Sequence, residues 1–431
     1  MTLLVISPDY ASHLLPLATL ATAWRDGGDD VVVASGPATS SIVSSFGFRA
    51  TELRLGRGSN PGTIRAEEQP VGEDDSLRAF FDATRRGMVE TLAYQASQRT
   101  TDLLWQPLET ASAVLKVIDE VRPDAVIVDH LAFTARLALQ AAGIHHADVV
   151  LGHPTALPIA DEVYGYPTSW PRAFDPDRDA LASLRQSCET VRDRFTEQWN
   201  DALAVLNAAA EPSSDAFAEH GDTLLLNYPG QLHDPERTAN LARHAFLGSA
   251  VRDEPADPEV DAWLAQGGAP IVYVSFGSFL SVRADVLARV ASALKQLDVR
   301  VALAIGSADR IQLGELPDTW MVREFLPQVT VLKHAVLAVT HGGNNSVTEA
   351  ATAGVPMLVL PFSTDQFAGA EAVESRGYGL ALAPNTASVD ELRVAAEALL
   401  NDTEVRDRSR LLGAELRAIP GRDRAHEALS S

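Results

Sequence analysis

Short β-rich runs alternate with helix-length amphipathic segments along this chain of 431 residues, and the alternation occurs once in each half. This order of elements predicts parallel β-sheets with helices on both faces. A single hydrophobic core stops growing at roughly 250–300 residues, so a chain of this length is expected to form two domains. We therefore predict an α/β protein with two parallel-sheet domains.

The predicted strands fall into two groups, separated by an acidic segment rich in proline and glycine. In the first half, strands are predicted over residues 3–7, 31–34, 125–129, 148–151 and 223–226. In the second half, they are predicted over residues 271–276, 300–305, 321–324, 336–340, 357–360 and 379–382. The intervening segment, 248–270, has the composition of an interdomain linker. The predicted domains therefore span residues 1–247 and 271–431.

The composition is that of a folded enzyme and excludes some classes of partner. Apolar residues make up 46% of the chain and charged residues 22%, unlike a disordered protein. The formal net charge of −23 would repel a nucleic-acid backbone, so nucleic acid is not expected as a partner. The single cysteine, Cys188, cannot form an internal disulfide, and we expect a buried, inert thiol in a reducing cytoplasm.

The apolar N-terminus is expected to be structural. It lacks the basic region of a signal peptide and contains Pro8, Asp9 and His13, so we interpret it as a strand followed by a helix that ends at Gly27. No run approaches the roughly 18 uncharged apolar residues of a membrane span. A soluble, cytoplasmic protein is expected, either a monomer or a homodimer.

Two long irregular segments interrupt the first half. Residues 55–75 have no periodicity and many turn-forming residues, which predicts a mobile loop. Residues 152–179 combine proline, glycine, tyrosine and tryptophan, a composition compatible with the wall of a binding pocket or with packed surface.

A candidate anion site follows a strand of the second half. After the predicted strand 336–340 comes the loop HGGNNS, residues 341–346, and then a predicted helix. A helix N-terminus presents unpaired N–H groups and a positive dipole end, which favour a diphosphate, and the glycines allow close approach to the main chain. Ser346 and Glu349 also have the spacing of a capping box, which would give them a purely structural role.

The segment 325–366, FLPQVTVLKHAVLAVTHGGNNSVTEAATAGVPMLVLPFSTDQ, resembles the donor-binding signature of nucleotide-sugar glycosyltransferases with the GT-B fold. More narrowly, it is similar to the family 1 glycosyltransferases, shared by plant secondary-product and bacterial antibiotic enzymes. The resemblance implies two Rossmann-like domains whose parallel sheets face a central cleft. It also implies transfer of a sugar from a UDP- or dTDP-sugar to a small-molecule acceptor.

The same resemblance implies donor-binding roles for residues of the second half. Phe325 would stack on the nucleotide base, and Glu349 would bind the ribose hydroxyls. Asp365 and Gln366 would bind hydroxyls of the transferred sugar. His341, the loop 343–346 and Ser278 would hold the diphosphate. Apart from Phe325, Glu349, Asp365 and Gln366, the implied donor-binding residues are Ser275, Gly277, Ser278, Leu326, Gln328, His341, Gly343, Asn344, Asn345 and Ser346.

The chain departs from the plant form of this signature. The plant signature has tryptophan at the positions of Phe325 and Asn344, and its segment before the histidine is two residues longer. These departures favour bacterial relatives and leave the choice between UDP and dTDP, and the sugar, open. Acceptor pockets of the family are made of variable loops such as 55–75 and 152–179, so the acceptor and the attacked atom also stay open.

The first half resembles the acceptor side of the same family. The turn containing His13 is similar to the family's Gly-His-x-x-Pro turn, whose histidine is the general base, with Ser12 in place of the glycine. The segment 123–129 resembles the strand whose terminal aspartate, here Asp129, orients that histidine.

Elementary chemistry supports such a pair. An imidazole has a pKa near the working pH and can take the acceptor's proton, while a carboxylate fixes its tautomer and stabilises the imidazolium. Helix capping is the alternative role for either residue. His130 is the other candidate should Asp129 only cap a helix.

No cofactor or metal is expected, and two other functions stay open. The first strand–helix turn lacks the glycines of a dinucleotide fingerprint, and the chain contains no Gly-Lys pair of a P-loop. The Asp-x-Asp motif of metal-dependent transferases occurs only within 175–179, after no predicted strand. A GT-B epimerase acting on the nucleotide sugar and a catalytically silent nucleotide-sugar-binding protein remain as alternatives. Retention of both His13 and Asp129 argues against the silent protein.

Overall fold

The computed structural model describes residues 1–60, 73–99, 103–280 and 282–430, without the side chains of residues 73–75, 278 and 279. Within these residues the chain forms two entirely parallel β-sheets, one of seven strands and one of six. The predicted fold class, α/β with two parallel-sheet domains, is confirmed.

The first sheet is built from β1 (Thr2–Ile6), β2 (Asp30–Ser35), β3 (Arg49–Glu52), β4 (Ala125–Asp129), β5 (Ala147–Val150), β6 (Thr223–Leu226) and β7 (His244–Phe246). Their order across the sheet is β3-β2-β1-β4-β5-β6-β7. The five predicted strands are confirmed to within one residue. The sequence did not predict β3 and β7, because these short edge strands are largely unburied and lack a continuous apolar run.

The second sheet is built from β8 (Ile271–Ser275), β9 (Arg300–Ala304), β10 (Met321–Arg323), β11 (Ala335–Thr340), β12 (Met357–Val359) and β13 (Gly379–Ala381). Their order is β10-β9-β8-β11-β12-β13. All six predicted strands are confirmed to within one residue. The central residues of β8, β9, β11 and β12 are buried and form uninterrupted apolar runs, whereas the short strands β10 and β13 are only partly buried.

Helices cover both sheets. In chain order they are α1 (Ala11–Asp26), α2 (Ser40–Ser45), α3 (Glu73–Arg86), α4 (Met88–Arg99), α5 (Pro107–Val121), α6 (Phe133–Ala141), α7 (Arg178–Leu206), α8 (Pro235–Thr238), α9 (Pro258–Ala265), α10 (Gly277–Leu280), α11 (Ala284–Leu294), α12 (Gln328–Leu332), α13 (Asn344–Ala353), α14 (Gln366–Ser375), α15 (Val389–Asn401), α16 (Thr403–Ala418) and α17 (Gly421–Ser430). None of the helices in the described part of the chain is long and apolar enough to span a membrane.

The two irregular segments have different outcomes. Most of the predicted loop 55–75 lies outside the described residues, and its last part is helical, since α3 begins at Glu73. The segment after β5 is irregular as predicted, apart from a 3-10 turn at Pro154–Ala156. It ends where the Asp177 side chain accepts a hydrogen bond from the Ala180 N–H at 2.9 Å and caps α7.

Two helices pack against a domain other than the one that their position in the sequence suggests. Helix α17 packs on α1, with Ala425 fully buried and the ring centroids of His426 and Trp24 5.0 Å apart. Helix α3 inserts Phe80 and Phe81 into the hydrophobic core of the second domain. The boundaries at 247 and 271 stay a prediction, because chain order alone does not account for these two crossings.

The strand order of each sheet defines where a ligand would bind. In the first sheet, β2 and β3 lie on one side of β1, and the chain then crosses to the other side of β1 to form β4. In the second sheet, β9 and β10 lie on one side of β8, and the chain then crosses to the other side to form β11. Open α/β sheets bind ligands outside the carboxyl ends of their strands at this switch point. The residues that follow β1, β4, β8 and β11 therefore mark the expected sites.

Candidate active site

A cavity of about 1010 Å³ lies at these switch points, and both domains line it. The first domain contributes the start of α1, the β4–α6 loop and the irregular segment after β5. The second domain contributes the ends of β8 and β11, the segment before α12 and the start of α14. The cavity brings together the sequence-predicted residues with three exceptions. Asp129 and Glu349 are buried behind residues that line it, and the Ser278 side chain lies outside the described residues.

The residues after β1 and β4 form a hydrogen-bonded pair. His13 lies in the first turn of α1, and its Nδ1 is 2.7 Å from Oδ2 of Asp129, the last residue of β4. The other carboxylate oxygen of Asp129 accepts the Leu131 N–H at 2.8 Å. Helix α6 has Ala132 at its N-cap, so a helix-capping role for Asp129 is wrong. The carboxylate is held at both oxygens and aimed at the imidazole.

This pair has the electrostatics of a general base. Burial is the largest influence on the His13 pKa and lowers it, but the charge and hydrogen bond of Asp129, aided by Asp365, raise the net value above the ordinary one. Because an ionised carboxylate only accepts hydrogen bonds, Nδ1 carries the proton and Nε2 keeps its lone pair. The lone pair on Nε2 is the proton acceptor that general-base chemistry requires.

His130 does not fit the role of base. Its ring is buried, and no carboxylate of the described residues is hydrogen-bonded to either ring nitrogen. Burial, followed by the Arg136 cation, lowers the pKa of His130 to about 3. An imidazole with so low a pKa is a weak proton acceptor. Of the two candidates, only His13 has a carboxylate partner.

In the second domain, the His341 ring packs between two glycine backbones. A Cβ added at Gly277 would lie 3.0 Å from the ring, and one added at Gly343 would overlap it. Gly277 also has a φ of +70°, which disfavours any side chain. Burial lowers the pKa of His341 to about 4, so the ring is neutral at working pH and can donate one N–H. These glycines therefore make room for a histidine as well as for a ligand.

Helix α13 opens at the loop that follows β11. Gly343 is its N-cap and no side chain caps it, so Ser346 lies inside the first turn and the capping-box interpretation is wrong. The N–H groups of this turn are therefore available for an anion. The Asn345 amide donates to the Ser12 carbonyl at 3.2 Å, which brings the start of α13 into contact with the turn that carries His13.

The nucleotide end of the predicted site surrounds Gln328. Phe325 is 50% exposed in the cleft, so its ring is accessible for stacking on a planar group such as a nucleotide base. Gln328 accepts the Tyr273 hydroxyl at 3.0 Å and donates to the Glu349 carboxylate at 2.6 Å. Leu326 is part of the same wall. On the neighbouring loop, the Ser275 hydroxyl accepts the Gly277 N–H at 3.1 Å and shapes the turn after β8.

The two predicted sugar-binding residues lie at the start of α14. Asp365 holds the N-cap position but makes no capping bond; its carboxylate instead accepts the His153 N–H of the first domain and the Thr364 hydroxyl. The Gln366 oxygen accepts the Phe362 and Ser363 N–H groups, which leaves its NH₂ group to donate. A role for Asp365 as a helix cap is therefore wrong.

Sequence reasoning missed Arg252. This linker residue lines the cavity, and its guanidinium is 2.7 Å from the Glu349 carboxylate. Nothing in the local pattern singles it out, because its partner is 97 residues away in the chain. Within the described residues, no group of three or more His, Cys, Asp or Glu side chains could hold a metal ion.

Comparisons with known proteins agree with this geometry. Oleandomycin glycosyltransferase from Streptomyces antibioticus is 31% identical over 250 residues, which span 57% of either chain. NDP-glycosyltransferase YjiC from Bacillus licheniformis is 25% identical over 412 residues, 94% of this chain and 98% of that protein. The solved structure of spinosyn rhamnosyltransferase SpnG complexed with thymidine diphosphate matches with a TM-score of 0.66 at 19% identity and covers 100% of both chains.

The two parallel sheets, the cleft between them and the likeness to SpnG define a protein with the GT-B fold. The family model described as "UDP-glucoronosyl and UDP-glucosyl transferase" matches residues 187–413, more than half of the chain. The chain belongs to that family.

Proposed function

We propose that this protein is an inverting glycosyltransferase that moves a sugar from a UDP- or dTDP-sugar to a small, natural-product-like acceptor. The observation that carries the proposal is the His13–Asp129 hydrogen bond of 2.7 Å in a cleft whose other wall is the start of α13. A nucleotide-sugar-binding protein without activity would have no use for a buried carboxylate aligned with an imidazole beside the anion site.

The reaction is a single displacement. His13 Nε2 takes the proton of the acceptor hydroxyl while the acceptor oxygen bonds to the anomeric carbon. The bond from that carbon to the β-phosphate oxygen breaks, and the nucleoside diphosphate leaves from the opposite face, so the configuration inverts. Asp129 stabilises the imidazolium that forms. General-base catalysis of this kind contributes about 10²–10⁴-fold to a rate.

The donor is held by the second domain without a metal or a cofactor. The first turn of α13, neutral His341 and Ser278 would meet the negative charge that develops on the diphosphate. Phe325 would stack on the base, and Glu349 would bind the ribose. Asp365 and Gln366 would bind hydroxyls of the sugar, with Asp365 exchanging the His153 N–H for a sugar hydroxyl.

The acceptor would bind in the first domain. Leu131, Tyr164 and Tyr166 line that part of the cavity, an apolar and aromatic surface suited to a polyketide or aromatic aglycone. The names of the similar proteins, an oleandomycin and a spinosyn glycosyltransferase, point to the same chemical class, and the bound thymidine diphosphate of the latter favours a dTDP-sugar.

A transfer assay tests the proposal. The protein is incubated with UDP-glucose or dTDP-glucose and a panel of macrolide, anthracycline and flavonoid aglycones, and products are measured by mass spectrometry and NMR. We expect aglycones that gain one hexose in a β-linkage from the α-configured donor. Donor binding without transfer to any aglycone would favour a silent binding protein, and interconversion of the free nucleotide sugar would favour an epimerase.

A further inference from the structure

The linker after β7 lies along the donor-binding helix instead of spanning freely between the domains. The Ala250 N–H donates to the Asn227 side chain at 2.7 Å, and the Ser249 hydroxyl donates to that of Thr348 on α13 at 3.1 Å. Further along the linker, Glu254 accepts the Thr330 N–H of α12 at 2.8 Å. These contacts fix the linker on both sides of Arg252.

The Arg252 guanidinium lies between two carboxylates, those of Glu349 and Glu254, and donates a hydrogen bond to each. Its Nη1 donates to Glu349 Oε1 at 2.7 Å, and its Nη2 donates to Glu254 Oε1 at 3.0 Å. Glu349 and Glu254 are almost fully buried, whereas Arg252 keeps 27% of its side chain exposed toward the cavity that it lines. The Gln328 amide holds the second oxygen of Glu349, so both oxygens of this carboxylate have a fixed donor.

Glu349 needs such a partner to stay charged. Burial raises its pKa, and Arg252 and then Gln328 oppose that rise. A buried carboxylate without a cation is destabilised and tends to take up a proton. An ionised carboxylate accepts two ribose hydroxyls at once, whereas a protonated one offers fewer lone pairs and a competing donor.

We propose that Arg252 is a positioning residue of the donor site, which holds the Glu349 carboxylate in the orientation that binds the ribose hydroxyls of a nucleoside diphosphate. The inference rests on the proposed function, since it takes the ligand of this half of the cleft to be a nucleotide. It makes the interdomain linker a part of the donor site, and it assigns to Arg252 an action through Glu349 and not on the diphosphate.

Binding of four nucleotides to three proteins tests this inference. Dissociation constants of UDP, dTDP and their analogues without ribose hydroxyls, 2′,3′-dideoxy-UDP and 3′-deoxy-TDP, are measured by calorimetry for the wild type, Arg252→Met and Arg252→Lys. Arg252→Met should weaken UDP and dTDP roughly tenfold, the effect of losing one charge-assisted hydrogen bond. Binding of the two analogues should change less than threefold, about 0.6 kcal/mol. Arg252→Lys should recover part of the loss.

Arg393→Met is the matched control. Arg393 exposes 26% of its side chain and also bridges two carboxylates, Asp390 and Glu397, but it lies on α15 outside the cavity. It should leave all four dissociation constants unchanged. Thermal unfolding of each variant verifies that it is folded.

The double variant Arg252→Met/Glu349→Gln decides between the two ways in which Arg252 could act. If Arg252 acts through Glu349, removing it from the Glu349→Gln protein should weaken UDP no further. An equal loss for UDP and its dideoxy analogue, or a further loss in the double variant, would overturn the inference by indicating a direct diphosphate contact. Unchanged UDP and dTDP binding in Arg252→Met would also overturn it. Absence of nucleotide binding by the wild type would instead contradict the proposed function.

Discussion

At the scale of single residues, each oxygen of Asp129 has a separate partner. One is bound by His13 and the other by the Leu131 N–H, so the carboxylate cannot rotate without breaking a bond. Because Asp129 is 1% exposed, its negative charge is weakly screened and acts strongly on the imidazole. The raised pKa of His13 follows from this charge, and it predicts how the activity depends on pH.

The first prediction concerns Asp129→Asn. The base acts when neutral, so wild-type kcat/KM should rise with pH through the pKa of His13, above the ordinary histidine value, and then level off. Removing the negative charge should shift this rise to lower pH. The level reached should fall roughly a hundredfold or more, because an amide that donates to Nδ1 leaves the proton on Nε2. A pH–rate profile that keeps the wild-type midpoint and height would contradict the pairing.

The second prediction concerns Gln366→Glu. Glutamate keeps an oxygen that accepts the Phe362 and Ser363 N–H groups, so the conformation of this loop should be retained, while the burial of a carboxylate without a cation should lower the thermal stability. It lacks the NH₂ group, so kcat/KM for the true donor should fall roughly tenfold to a hundredfold if that group binds a sugar hydroxyl. The deficit should shrink with a donor that lacks the contacted hydroxyl. Wild-type kinetics with every donor would mean that Gln366 only shapes its loop.

At the scale of elements, we propose that the N-terminus of α13 takes the role that a metal ion has in metal-dependent transferases. Its N-terminus has no side-chain cap, and neutral His341 packs against the same loop. Partial positive charge at a helix start and fixed N–H donors stabilise a leaving diphosphate without any cation.

The third prediction follows from this helix. Excess EDTA should leave the transfer rate unchanged, and added Mg²⁺ or Mn²⁺ should not restore anything that dialysis removes. Initial rates with and without chelator are the measurement. A strict requirement for a divalent ion would contradict the assignment of the α13 N-terminus as the diphosphate site.

Helix α3 is held to the second domain at its last turn. The buried Arg283 guanidinium donates to the Thr84 carbonyl at 3.1 Å, and the Asn385 amide donates to the same oxygen at 2.9 Å. Phe80, three residues before the last turn, lines the cavity. The attachment therefore fixes one wall of the cleft.

The fourth prediction is that Arg283→Ala lowers the free energy of unfolding by about 1–3 kcal/mol, because it breaks buried hydrogen bonds to a charged group. Arg25→Ala, which removes an exposed ion pair to Asp26 and an exposed hydrogen bond to the Phe46 carbonyl, should change it by less than about 1 kcal/mol. Urea denaturation of both variants is the measurement. Equal midpoints for the two would contradict the attachment.

The elements were more predictable than their contacts. Continuous apolar runs identified the buried strands, whereas β3 and β7 are too short and too exposed to leave such a signal. The motif at 341–346 located the start of α13, but not the Gly343 N-cap that excludes a capping box. Arg252 could not be found, since its contact with Glu349 exists only after both sheets and the linker have folded.

At the scale of the whole molecule, each sheet contributes half of the site at its own switch point. The halves meet where Asn345 contacts the Ser12 carbonyl and where Asp365 accepts the His153 N–H. The sequence predicted both halves, because each lies next to a recognisable strand. It could not predict the contacts between the two halves, because these contacts depend on how α3, α17 and the linker hold the two domains together.

The most direct test of this molecule as a His13-dependent glycosyltransferase is the turnover of His13→Ala beside its affinity for the donor. We expect kcat for transfer to a hydroxyl acceptor to fall by about 10²–10⁴-fold, the contribution of a general base. The dissociation constant of the nucleotide sugar should stay near that of the wild type, because the proposed donor contacts belong to the second domain. A variant with near-normal turnover on an oxygen nucleophile would contradict the assignment of His13 as the base.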